Sequence, residues 1–164
     1  MTLTQGLGRI RRGGRWWALV GFGAAVTAAA TIGGLGVRGT QDEYRSLAQP
    51  SWAPPSWLFG PVWTVLYALI AVAAWLVWQR VGFGAALWAW VVQLVLNAVW
   101  TPLFFGAGRY DLAFVELVAL WLSIGVTVPL FWRVSRPAGL LMLPYWGWVT
   151  FAGALNYSIW QLNP

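Results

Sequence analysis

Cysteine, histidine and lysine are all missing from this chain, and aspartate and glutamate together number four. Without cysteine there is no disulfide and no thiolate nucleophile. Without histidine, a haem iron has no imidazole ligand, and the usual nitrogen or sulfur zinc site cannot be assembled. Without lysine there is no Schiff-base chemistry. The acids form no paired-carboxylate site, and neither a catalytic triad nor a phosphate-binding loop is present. Nothing in the sequence requires a cofactor. Charge of either sign is scarce: 9% of the residues are charged and 60% hydrophobic, where soluble domains run to about a quarter charged. That excludes water as the solvent for the folded chain.

What remains is apolar and helical in pattern. A helix needs about 20 largely apolar residues to cross the hydrocarbon core, and five stretches meet that length: about 16–37, 56–79, 84–106, 110–132 and 137–160. The expected fold class is all-α, a bundle of five transmembrane helices over residues 16–164 behind a basic amino-terminal arm, 1–15. Tryptophans near many of the ends suit interfacial anchoring. The segment from Arg9 to Ala30 also has the layout of a signal peptide, but the apolar run continues to Val37, which favours a retained span.

All ten basic residues are arginine, giving a net charge of +6. They stand at span ends and in connections, so the charge signals topology and lipid-headgroup contact, and no nucleic-acid partner is expected. With the amino terminus inside, Arg9, Arg11, Arg12, Arg15, Arg80, Arg133 and Arg136 face inward and Arg38, Arg45 and Arg109 outward. The positive-inside rule then places the amino terminus inside and the carboxy terminus outside. The arginine bias fits a bacterial cytoplasmic membrane. The longest connection, 38–55, lies outside and carries Tyr44 and the run Pro50-Ser51-Trp52-Ala53-Pro54-Pro55. Prolines stiffen it and forbid a regular helix. It reads equally as a lid over the bundle mouth or as a plain connection.

Polar side chains inside a bilayer are costly and therefore informative. Gln93, Asn97 and Thr101 share one face of the third span at four-residue spacing. They either bond neighbouring helices and the backbone loosened by Pro102 or line a cavity. Tyr145, Trp148, Ala152 and Leu155 or Asn156 form a stripe on the fifth span, and Trp63 and Tyr67 pair on the second. Such stripes are packing surfaces or the walls of a pocket for a flat conjugated molecule, which Asn97 or Asn156 would orient. Glu116 stands well inside the fourth span. A proton relay through it lacks a second titratable partner, and a neutral or hydrogen-bonded acid at a helix contact is the other reading. Small residues four apart, Gly21 with Ala25 and Ala85 with Ala89, suit close helix packing or dimerisation.

Three blocks carry a resemblance. Gln49-Pro-Ser-Trp-Ala-Pro-Pro-Ser-Trp-Leu-Phe-Gly-Pro-Val-Trp-Thr-Val-Leu-Tyr67, Gln93-Leu-Val-Leu-Asn-Ala-Val-Trp-Thr-Pro-Leu-Phe-Phe-Gly106 and Leu143-Pro-Tyr-Trp-Gly-Trp-Val-Thr-Phe-Ala-Gly-Ala-Leu-Asn-Tyr157 resemble segments of the tryptophan-rich sensory protein and translocator protein family. The resemblance implies five transmembrane helices, commonly a homodimer, with a pocket beneath the first loop. It also implies binding of porphyrins (protoporphyrin IX, haem) and of synthetic isoquinoline carboxamide and benzodiazepine drugs. Matching positions carry the family's pocket onto Tyr44, Trp63, Tyr67, Asn97, Thr101, Trp148, Ala152 and Leu155; Asn156 comes from the stripe above. Trp63 and Trp148 match tryptophans implicated in light-dependent porphyrin breakdown. The chain departs from animal members at Gln161, where their cholesterol motif has a basic residue. The expected function is a receptor, sensor or carrier for porphyrins. The alternatives are a light- and oxygen-dependent enzyme degrading protoporphyrin IX, and a structural or partner-binding membrane protein. A transporter is disfavoured by five spans with no internal repeat.

Overall fold

The computed structural model describes residues 3–35 and 40–164. Six α-helices and no strand occur among the described residues: α1 (Leu3–Leu35), α2 (Thr40–Ser46), α3 (Phe59–Val81), α4 (Ala85–Thr101), α5 (Tyr110–Val134) and α6 (Arg136–Leu162). Five segments are long and apolar enough to cross a bilayer: Trp16–Gly33, Ser56–Val81, Ala85–Gly106, Tyr110–Val134 and Arg136–Leu162. They coincide with the five expected spans to within a few residues. The backbone of the basic arm from Leu3 onward is helical and continuous with the first span. The long connection is not wholly extended, because α2 forms ahead of its prolines. Asp42 and Glu43 lie in the first turn of α2 and Arg45 in its last, the arrangement that the helix dipole favours. Residues 36–39 of that connection, with Arg38, lie outside the described residues.

Short connections make α3 to α6 run up and down. Gly82 ends α3 at φ 69°, with its N–H bonded to the Trp78 carbonyl; that backbone region suits glycine, which has no Cβ to clash. Ser135 is the single residue between α5 and α6, extended at φ −152°, and its N–H bonds the Phe131 carbonyl at 2.7 Å. Pro137 then occupies the first turn of α6, where a missing N–H costs nothing. The kink expected at Pro102 takes the form of a π-helical turn, Pro102–Gly106, in which the Ala107 N–H reaches the Pro102 carbonyl at 2.9 Å.

Ile70, Ala73, Ala74 and Val77 of α3, Leu87 and Trp90 of α4, Leu120, Ile124 and Phe131 of α5, and Met142 and Tyr145 of α6 are all almost fully buried. Lipid tails are as apolar as leucine, so helices associate in a bilayer by close packing and not by expulsion from water. Small residues supply that closeness. A Cβ on Gly139 would lie 2.9 Å from the Trp132 ring and 3.0 Å from its Cα, so glycine is what lets α6 fold back against α5. The outward faces are also apolar: Val65, Val92, Val95, Val115, Leu122 and Val126 are all more than half exposed. In water that surface would drive association; against acyl chains it is the matching surface. The chain is an integral membrane protein.

Candidate functional site

Helical spacing assembles one cavity from four of the spans. On α3, Trp63 and Tyr67 are one turn apart, with Phe59 a turn earlier. On α4, Asn97, Trp100 and Thr101 share a face, and α6 offers Ala152, Leu155, Asn156 and Ile159. Ala30 and Gly33 of α1 form the remaining wall, and Phe104 and Phe105 enter from the π turn. The cavity volume is about 450 Å³, within the range of small-molecule sites, roughly 300–1,000 Å³.

Three amide or hydroxyl arrangements give this aromatic cavity its polarity. The Tyr67 hydroxyl donates to Asn97 Oδ1 at 2.6 Å, which leaves the Asn97 amino group for a second partner. Asn156 is committed on both sides: Oδ1 accepts from Trp100 Nε1 at 3.1 Å, and Nδ2 donates to the Tyr110 carbonyl at 2.9 Å. Ser56 opens the short 3₁₀ turn that leads into α3 and lines the cavity, and its buried Oγ has no hydrogen-bond partner among the described residues. The Trp63 ring lies 5.2 Å from Tyr67 and 6.1 Å from Tyr145, contact distances for aromatic pairs.

The loop after α2 closes the end of the cavity nearest the start of α3. Tyr44 is 4% exposed although it stands outside the spans. Its hydroxyl donates to the Pro54 carbonyl at 3.1 Å, its ring packs edge-on to Phe59, and Gln49 Nε2 donates to its carbonyl. Burial pushes the Tyr44 phenol above its usual pKa. At the far side of the loop, Asn163 grips Ala48 twice: Oδ1 accepts the Ala48 N–H at 3.0 Å and Nδ2 donates to its carbonyl at 2.9 Å. The loop is therefore fastened over the mouth as a lid would be.

Of the residues singled out by the sequence, the fold brings Tyr44, Trp63, Tyr67, Asn97, Thr101, Ala152, Leu155 and Asn156 to the cavity wall. Trp148 stands one ring back, 5.9 Å from Phe59 and 5.3 Å from Phe151. Gln93 is fully buried one turn below Asn97, away from the cavity, and its amide has no partner among the described residues. Glu116 also lies off the wall, with both carboxyl oxygens buried and unpartnered among the described residues; no cluster of three histidine, cysteine or acidic residues occurs there. Sequence reasoning missed Ala30, Gly33, Phe59, Thr64, Trp100 and Phe104. Trp100 follows Asn97 by three positions and was legible as part of the same face. Phe104 points inward because the π turn shifts the register after Pro102, which spacing alone does not foretell.

Comparison with known proteins finds relatives along most of the chain. The TspO/MBR family matches residues 21–161 of the chain. Among relatives, Protein CrtK of Rhodobacter capsulatus is 46% identical over 131 residues, covering 74% of this chain and 78% of its own length. The tryptophan-rich sensory protein of Cereibacter sphaeroides is 40% identical over 148 residues, 90% of this chain and 92% of that one. The translocator protein of Ovis aries is 36% identical over 154 residues, again across nine-tenths of both chains (90% and 91%).

Proposed function

The chain belongs to the TspO/MBR family, and from that premise we propose that it is a membrane receptor, sensor or carrier for porphyrins, protoporphyrin IX or haem, and related flat hydrophobic ligands. The observation that carries this reading is the cavity of about 450 Å³ lined by Trp63, Tyr67, Trp100 and Phe104 beneath the fastened loop. Aromatic faces stack on a conjugated macrocycle. The Asn97 amide on the cavity wall supplies a polar contact that fixes its orientation. The same aromatic set fits a metal-free macrocycle as well as a metallated one, since stacking does not involve the metal. Relatives are named sensory and translocator proteins, names that accord with a receptor or carrier. Assembly as a homodimer, residence in a bacterial cytoplasmic membrane and an amino terminus on the inner side complete the proposal. The arginine distribution supports the orientation.

Dark titration of the protein in lipid nanodiscs with protoporphyrin IX, followed by tryptophan quenching, tests it. Saturable binding that Trp63→Ala weakens is the expected result. Unsaturable partitioning that is equal in both proteins would show the porphyrin dissolving in lipid and would return the aromatic stripes to packing. A second reading, photo-oxidative degradation of protoporphyrin IX with oxygen as oxidant, draws on the contact of Trp63 with both Tyr67 and Tyr145, a chain of oxidisable rings. Stoichiometric conversion to a defined product under illumination, lost in Trp63→Phe, would support it. Bleaching equal to that of free tryptophan in detergent would end it.

A further inference from the structure

A second hollow, about 480 Å³, lies in the groove between α1 and α3. It shares Ala30, Thr64 and Tyr67 with the cavity described above, so the two spaces meet at a common wall made mostly of small side chains. We propose that this groove is a lateral doorway through which the cavity's ligand passes to and from the bilayer core; the inference rests on the proposed function above.

Three observations converge on it. First, the aqueous mouth is the better-closed side. Tyr44 is buried there, and Asn163 clamps Ala48 with a donor and an acceptor at once. Second, α1 is the most loosely held span. Only 17% of its most apolar window is buried, against 33–39% for the other four, so displacing it disrupts the least packing. Third, the groove is chemically suited to an apolar traveller. Its threonines face lipid, but each hydroxyl is spent on its own helix: Thr27 on the Gly23 carbonyl at 2.8 Å, Thr31 on Thr27 at 2.7 Å and Thr64 on Gly60 at 2.9 Å. A hydroxyl bonded to the backbone in this way leaves its methyl group as the presented surface. A porphyrin partitions into membranes, so a door opening to lipid spares it a return to water.

A doorway is a kinetic element. Obstructing it raises the barrier for passage in both directions and leaves the bound and free states alone, so association and dissociation slow together while affinity holds. Ala68 lines the groove but not the cavity, and the chain has no cysteine of its own. The test therefore places one thiol there, Ala68→Cys, and another on the outward face of α4 as a control, Val92→Cys, a site 52% exposed. Each is reacted with a bulky methanethiosulfonate reagent in lipid nanodiscs. Exchange of protoporphyrin IX with donor vesicles is then followed by stopped-flow tryptophan quenching. The labelled 68 variant is expected to take up and release the porphyrin about tenfold more slowly, with Kd unchanged within about twofold, as a gating step predicts. Reducing off the label should restore both rates, and the labelled 92 variant should behave as wild type. Unchanged rates at full labelling, with binding intact, would overturn the doorway and leave the cavity assignment standing. Equal slowing at both positions would also overturn it. Failure of the wild type to bind saturably would remove the cavity reading and the doorway with it.

Discussion

Asn156 shows how one side chain serves several helices. It stands on α6, receives the Trp100 indole of α4 and donates to the first residue of α5, Tyr110. In an apolar interior an amide with both ends paired is stable, and removing it strands the indole N–H and a carbonyl. Asn156→Leu is therefore expected to cost about 1–3 kcal/mol, read as a lowered denaturation midpoint in detergent. Trp63 is different, because its ring forms cavity wall. Trp63→Ala should weaken porphyrin binding about tenfold, a typical loss for an aromatic anchor, and Trp148→Ala, one ring back, should weaken it less. Equal losses in a dark titration would mean that the ligand reaches past Phe59. Sequence spacing was enough to find Trp63, Tyr67, Asn97 and Asn156. It could not say which neighbours each amide would meet, because that depends on which helices lie opposite.

At the scale of elements, the turn between α5 and α6 depends on one glycine. A methyl at Gly139 would meet the Trp132 ring and backbone at about 3 Å, and the backbone cannot swing aside as a flexible side-chain tip could. Gly139→Ala is expected to destabilise the bundle by about 1–3 kcal/mol, the usual cost of overpacking; an unchanged thermal midpoint would show that α6 can shift without loss. The loop offers a gentler experiment. Asn163→Ala removes both hydrogen bonds to Ala48, so amide exchange at Ala48 and its neighbours should accelerate while the helices keep their protection. The spans and their ends were readable because length and hydropathy decide them. The helix ahead of the prolines and the π turn after α4 were not, because they depend on local caps and on what the turn meets when it packs.

For the whole molecule, the bundle has two ends with different traffic. One carries the turn at Gly82, with φ of 69°, and the turn at Ser135, joined where Arg80 donates to the Val134 carbonyl at 2.8 Å. The other carries the lid, the Arg109–Asp111 ion pair at 2.8 Å and Asn163. With the amino terminus inside, a membrane-impermeant maleimide should label Ser46→Cys in intact cells and reach Phe83→Cys only after permeabilisation; the reverse pattern would invert the topology. A cavity that binds by stacking should also hold metal-free protoporphyrin IX and its iron complex within about threefold of each other, because no histidine or cysteine is available to ligate iron. A much tighter iron complex with a shifted Soret band would point to an axial ligand elsewhere, a tyrosine foremost.

The loose hold on α1 also bears on how the protein is made. Ribosomes deliver α1 first, yet its partners α3 and α4 follow it, and the most extensive helix pairing, α5 with α6, comes last. The earliest helix must therefore wait in lipid, unpaired, until the rest of its wall has been synthesised. Its run of alanine, glycine and threonine suits that interval, since the Thr27 and Thr31 hydroxyls are already bonded to carbonyls of their own helix. A cavity walled by the first and the last of the five spans is complete only when all of them are in place.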